Sequence, residues 1–219
     1  MRFLEKVELA HFKFQKDFLK PFEYTMTHNS NPDIRELVRL RYVFEGYLPY
    51  TVSRQVLQCL HQMIQARADN LRSGWRTLFG VFSAASKVHT GQFISPSALL
   101  VLIIDVSPER IVVSAFELVT RLNKERFSAI VRQGSFADLT VCITDFCKVT
   151  KYQKVCLLAM AMLRGVIPVM LESQDCSLTT KGGPDSNADD DPMVRYWFPV
   201  LFGFYDVIMN GEDLEIRRL

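Results

Sequence analysis

This sequence has almost no surplus of one charge. Its 26 Lys and Arg face 24 Asp and Glu, a formal net charge of +2. A general nucleic-acid binder carries a strong basic excess or stripe, so that class is disfavoured. Long apolar runs are also missing. The longest, Ala98 to Ile104, falls well short of the ~20 residues that cross a bilayer as a helix, and the start, MRFLEKVELAHF, is charged and amphipathic, unlike a secretory signal. A soluble or peripheral protein is expected. Cysteine is sparse and unpaired in pattern: Cys59, Cys142, Cys147, Cys156 and Cys176 are odd in number and contain no CxxC. No zinc site follows from their spacing. Three lie in apolar helical patterns and read as reduced, buried thiols of a cytosolic protein. The sequence contains no GxSxG, no HExxH and no Walker A lysine loop. The glycines of TKGGPD sit in an acidic, polar stretch. Cys59 and His61 are two apart on a helical pattern and so point in different directions; His11 and His28 read as surface residues. No catalytic group, metal or cofactor is expected.

What is present is helical periodicity. The sequence is 48% hydrophobic and 23% charged and holds 16 phenylalanines, enough for a buried core. The stretch Ser73–Ala85 places Trp75, Leu78, Phe79 and Phe82 at i, i+3, i+4 and i+7, one face of a helix. Ser73 is expected to cap it, and so aromatic a stripe calls for helices packed on both sides. Leu4 to Met26 reads as an amphipathic helix, kinked or broken at Pro21. Asn31–Pro32 starts another. Leu57, Leu60, Ile64 and Leu71 mark a helix joined by a short turn to the Ser73 helix, implying adjacent antiparallel neighbours. Ser107, Pro108 and Glu109 open a helix with the stripe Val112, Ala115, Phe116, Val119 and Leu122. Ser135 and Asp138 have the S-x-x-D spacing of a helix start before Leu139, Cys142, Ile143 and Phe146. Val155, Leu158, Ala159 and Met162 define the next helix, weakened near Gly165 and Pro168. Asp191 and Pro192 begin the last long one, with Trp197, Leu201, Phe204, Tyr205 and Ile208 facing inward, ended by Asn210–Gly211. GEDLEIRRL reads as the first turns of a further helix.

The expected fold is therefore all-α: an α-solenoid of paired antiparallel helices, HEAT- or armadillo-like, with a compact bundle as the alternative. The expected division is a helical region over 1–172, a disordered acidic linker over 173–192, and a terminal helix with the start of another over 193–219. The structural core is expected at Trp75, Leu78, Phe79, Phe82, Phe116, Trp197 and Phe204. Three basic groups stand out. Lys13, Lys16 and Lys20 recur along one helix face, Arg67, Arg72 and Arg76 cluster near Ser73, and Lys148, Lys151 and Lys154 form the third. A solvated face is the ordinary reading; a contact surface for anionic lipid or an acidic protein partner is the sharper one. The first two groups are the candidate site.

Several segments taken together resemble one family. FLEKVELAHFKFQKDFLKPFE, IREL, VLQCLHQMIQARADNLRSGWRTLFGVFSAAS, AFELV, FADLTVCITDFCK and WFPVLFGFYDVIMNGEDLEIR are similar, in that order, to the large Golgi Arf guanine-nucleotide exchange factors of the Sec-seven and BIG family. The similarity lies in the helical region just downstream of the exchange domain, the first of its HDS repeats, and the phrasing looks fungal. The resemblance implies a non-enzymatic region, because the FRLPGEAQ-like exchange motif of the family is absent here. It implies a recruitment and regulatory α-solenoid in Golgi vesicle-mediated protein transport, peripheral on trans-Golgi membranes from the cytoplasmic side. Its implied partners are an Arf-type GTPase, the anionic Golgi membrane and other domains of the parent factor. A generic HEAT-like interaction module, or a region with no binding activity of its own, is the alternative. Two irregular stretches, Val38–Gln55 and Val88–Ser107, depart from the family pattern. Both begin with valine, whose codons begin GT. Val38–Arg39 can be encoded GTAAGN, a splice-donor sequence, and Gln55 can be CAG, an acceptor end. Translated, unspliced introns are expected there, with authentic surface loops as the rival.

Overall fold

The computed structural model describes residues 14–27, 48–87, 107–173, 176 and 191–218. No strand occurs among them, and the protein is all-α. It divides into two compact units, Met1–Leu118 and Val119–Leu219.

In the first unit, α1 spans Phe14–Thr27, α2 Leu48–Arg67, and α3 Gly74–Ser86; a 3-10 turn, Ala68–Asn70, follows α2. Nine of the 13 residues of α3 are buried, Trp75, Leu78, Phe79 and Phe82 almost completely. Trp75 stacks on Phe79 with ring centroids 5.9 Å apart. Burial on this scale needs neighbours on more than one side, and α1 is the principal one. It approaches closely because α3 presents glycine there. A Cβ on Gly74 would lie 3.0 Å from Leu19 Cδ1, and one on Gly80 would run into the Glu23 carboxylate. The short turn after α2 does not make α2 the main partner of α3; α1 packs against both.

Pro21 does not end α1, which runs on to Thr27. The carbonyl that its ring leaves unbonded belongs to Asp17, on an exposed turn where water can serve it. Helix α2 already begins at Leu48, with Ser53 fully buried, so the end of the stretch expected to be irregular over 38–55 is helical. The remainder of that stretch, residues 88–106 of the second, and the Asn31–Pro32 start lie outside the described residues.

Helix α4 spans Pro108–Arg132. Its start is encoded locally: the Ser107 hydroxyl accepts from the Arg110 amide at 3.3 Å, with Pro108 at the first helical position. Val112, Ala115, Phe116, Val119 and Leu122 are all buried. It ends at Gly134, whose φ of +72° is the left-handed conformation that glycine adopts without strain. The Ser135 amide donates to Ile130 O at 3.1 Å and the Gly134 amide to Val131 O at 3.0 Å, a Schellman ending. Ser135 makes no side-chain cap on the following helix, contrary to the S-x-x-D expectation.

In the second unit, α5 spans Phe136–Cys147 and is the central helix, with α6, Gln153–Glu172, and α7, Phe198–Asn210, packed against it. A π-helical turn, Met193–Trp197, leads into α7, and α8 covers Leu214–Arg218. Phe136 anchors the unit through edge-on contacts with Phe127 at 5.8 Å and Tyr196 at 5.7 Å. Asp191 caps the entry to α7 through its carboxylate, which accepts from the Met193 amide at 2.9 Å. Asp213 does the same for α8, accepting from the Glu215 amide at 2.8 Å.

The inward face of α7 differs from the expected one by a single residue. Tyr196, Val200, Gly203 and Val207 are buried, whereas Leu201, Tyr205 and Ile208 are exposed and Trp197 and Phe204 half-buried. Both stripes are apolar, and the larger side chains misdirect. The helix packs through its smallest residue: a Cβ on Gly203 would lie 2.7 Å from Thr144 Oγ1. That hydroxyl is held by its own bond to Thr140 O at 2.9 Å. Gly203→Ala should cost about 1–3 kcal/mol by overpacking, read in a urea melt, and Thr144→Ala should recover most of the loss.

Helix α6 shows a smaller correction. Leu158 is half exposed and Met162 partly so; Cys156, Met160, Leu163, Val166 and Met170 carry the buried face with Val155 and Ala159. Pro168 is exposed and the helix continues past it. With the preceding turn, Thr150–Glu172 is the one helix among the described residues long and apolar enough to cross a membrane by length and composition. Its buried stripe packs on α5 as a core helix does. Cys176, at the start of the stretch expected to be unpacked, is buried, and its amide donates to Ser173 O at 3.2 Å. Residues 177–190 lie outside the described residues.

Candidate functional site

The candidate basic site is organised by a glutamine. Gln15 lies fully buried between α1 and the turn joining α2 to α3. Its Nε2 donates to Asn70 O at 2.9 Å, and its Oε1 accepts from the Arg72 amide at 2.9 Å. Beside it the Ser73 hydroxyl accepts from the Lys16 amide at 3.3 Å. Ser73 thus serves α1 and makes no side-chain cap on α3. These contacts set the chain at Lys16 against the chain at Arg72. Because Gln15 and Leu19 meet Gly74, and Glu23 meets Gly80, α1 and α3 run side by side in the same direction. Lys20 and Arg76 therefore follow one turn along from Lys16 and Arg72. All four are exposed, as is Arg67 at the end of α2. Lys20 is paired with Asp17 at 2.8 Å, and its hydrogen bond and charge hold that carboxyl below the usual range. Lys13 lies outside the described residues.

The third basic group does not form a surface. Lys148 is partly buried and bridges two helices, donating to Asp206 Oδ2 at 2.6 Å and lying 3.3 Å from Asp145 Oδ1. Asn210 donates to the other Asp206 oxygen at 2.6 Å. Burial pushes the Lys148 ammonium down, but the Asp206 hydrogen bond and the two carboxylate charges outweigh it and hold its pKa above the ordinary value. A raised folded pKa means that the bridge stabilises fully below the unfolded lysine value of about 10.4 and is lost as pH rises through the folded value. Lys148→Met should cost about 1 kcal/mol at pH 7 after solvent screening. In paired melts, the gap from wild type should narrow above about pH 10.4. Lys151 is exposed beside the Tyr152 ring at 5.9 Å, and Lys154 is exposed.

All five cysteines are free thiols, four of them buried and Cys59 exposed. Burial, with Cys156 close by, pushes the Cys147 thiol up to about 12, and burial pushes Cys156 up to about 11. Both stay protonated at neutral pH and are poor nucleophiles. Among the described residues no group of His, Cys, Asp and Glu could hold a metal.

A second surface has no counterpart in the sequence reading. A groove of about 590 Å³ runs between α5 and α7, walled by Ala137, Val141, Phe198, Phe202 and Tyr205, with Thr144, Asp145 and Asp206 as its polar members. Phe202 is 66% exposed and Val141 58%. Of its walls on α7, Tyr205 alone was expected to face inward, and it stands outside.

The described residues form an all-helical protein with an exposed basic cluster and an apolar groove. The amino-terminal half matches a family profile described as Mon2/Sec7/BIG1-like HDS, over residues 2–45 and 39–103. Two fission-yeast (Schizosaccharomyces pombe) proteins, the ADP-ribosylation factor guanine nucleotide-exchange factors sec72 and sec71, are 33% and 35% identical over 217 residues, 99% of this chain. The human brefeldin A-inhibited guanine nucleotide-exchange protein 1 is 30% identical over 222 residues, again 99% of this chain. The chain belongs to the Sec7/BIG family of Arf exchange factors, in its HDS region. It spans about 10% of the length of these relatives.

Proposed function

We propose that this chain is a non-catalytic scaffold region of an Arf guanine-nucleotide exchange factor. In this reading it is the first HDS repeat, an α-solenoid peripheral on trans-Golgi membranes that helps recruit and regulate the exchange activity in vesicle-mediated transport. The observation that carries the reading is the similarity of 99% of the chain to Arf exchange factors. Support comes from the basic cluster that Gln15 and Ser73 assemble, where Lys16, Lys20, Arg67, Arg72 and Arg76 can meet an Arf-type GTPase or anionic headgroups, with Lys13 as a sixth cation in sequence.

Each exposed cation near an anionic surface contributes roughly 1 kcal/mol. Arg72→Ala/Arg76→Ala should therefore leave the thermal midpoint within about 2 °C and lower binding to anionic liposomes roughly tenfold or more. A pull-down of the purified chain with GTP- and GDP-loaded Arf, with and without those liposomes, tests the function. Binding that ignores both nucleotide and lipid contradicts it.

Residues 38–55 and 88–107 remain, in this reading, inserted stretches. Against it, the family match runs on through residues 39–55 and 88–103, and α2 begins inside the first stretch, at Leu48. Mature message lacking both stretches is the expected result of transcript sequencing; abundant message retaining them makes them authentic loops.

A further inference from the structure

The groove between α5 and α7 shares no residue with the basic cluster. Phe198, Phe202, Tyr205 and Met209 stand 43–66% exposed along α7, and Val141 stands 58% exposed across the groove on α5. An apolar face of this extent on a folded protein marks a contact surface. Its depth follows from Gly203, which lets α7 settle onto α5 and leaves the flanking rings as the groove wall.

We propose that this groove receives an amphipathic helix supplied by another segment of the same exchange factor. The apolar ridge of that helix would lie between Val141 and Phe202, with a lysine or arginine at the Asp145–Asp206 end. The proposal rests on the reading of the chain as one region of a longer factor, relatives of which are about ten times its length.

Three observations select this occupant. The walls are two packed helices, and the gap between such walls accepts the ridge of a third, whose side chains repeat at three and four residues. The polar end brings together two carboxylates, Asp145 and Asp206, and, among the described residues, the ammonium of Lys148. That end is net negative and attracts a cation on the incoming helix. The same carboxylates repel anionic headgroups, which disfavours a membrane. In a second copy of the chain, Asp206 follows Phe202 by one turn on the ridge that would have to enter, so like charges would meet.

Photo-crosslinking in the full-length gene product tests this, with p-benzoylphenylalanine in place of Phe202 and isotopically light and heavy copies mixed. The expected product is a crosslink within one copy, to a segment outside residues 1–219 with apolar residues at three- and four-residue spacing and a Lys or Arg one turn beyond. Val141→Arg, an exposed change, should reduce its yield roughly tenfold. Asp206→Asn, which keeps a hydrogen-bonding group beside Lys148, should reduce it several-fold. Light–heavy products, lipid adducts, adducts to another protein, no adduct, or a yield indifferent to both substitutions would each overturn the proposal. A negative crosslink beside nucleotide-selective Arf binding removes the docking helix alone, whereas a gene product with no further sequence removes the parent reading with it.

Discussion

Trp75→Ala should cost about 3–5 kcal/mol and leave the first unit unfolded at growth temperature. Trp75 is the largest side chain with no solvent exposure, it stacks on Phe79, and it sits where α3 is buried on more than one side. Its removal opens a cavity that Gly74 and Gly80, with no side chains, cannot fill. The indole Nε1 is buried without a hydrogen-bond partner among the described residues. Trp75→Phe, which deletes that unsatisfied donor while keeping most of the apolar body, should therefore cost far less than the alanine change. Urea melts of the two variants check both statements. Equal losses would mean that the indole N–H is satisfied.

Gln15→Leu is the second large effect, about 2–4 kcal/mol. Leucine keeps the volume but leaves Asn70 O and the Arg72 amide without their partner. The amides of residues 68–73 should exchange faster with solvent, because the turn that carries Arg72 loses its tie to α1. Gln15→Glu adds a pH signature. The carboxylate can still accept from Arg72 but cannot donate to Asn70, and burial raises a carboxyl pKa. Its folded pKa then exceeds the unfolded value of about 4.3, so the loss is full above the folded pKa and fades as pH falls towards the unfolded value. Anionic-liposome binding should fall in both variants, since Lys16 and Arg72 are no longer held together.

These two residues show what the sequence displays and what it hides. Trp75, Leu78, Phe79 and Phe82 fit only one helix face, so the α3 stripe is legible from spacing. Ser107–Pro108, Asp191–Pro192 and Asn210–Gly211 are legible for the same reason: a helix end is decided by atoms within one turn. Long-range choices are not. Ser73 and Ser135 both look like caps, but Ser73 bonds to α1, 57 residues away in sequence, and Ser135 completes the Schellman ending of α4. Gln15 looks like one more polar residue among Lys13, Lys16 and Asp17. Only the arrival of Asn70 and Arg72 gives it a role, and an uncharged residue in an otherwise charged run was the available hint. On α7 two apolar stripes compete one residue apart, and the winner is set by how closely Gly203 can approach Thr144. The α5–α7 groove is invisible because it takes residues of two helices about 60 positions apart, which spacing along either helix does not relate. The basic cluster was half legible. Helical spacing relates Lys16 to Lys20 and Arg72 to Arg76, but their meeting depends on α1 lying along α3.

Recruitment by the basic cluster is the central claim. Flotation of the purified chain with anionic liposomes carrying GTP-loaded Arf should bring it to the membrane fraction. GDP-loaded Arf should bring much less, and Arg72→Ala/Arg76→Ala should lower the recovery while circular dichroism stays unchanged. Recovery that is equal with either nucleotide and unaffected by the double substitution would contradict the account.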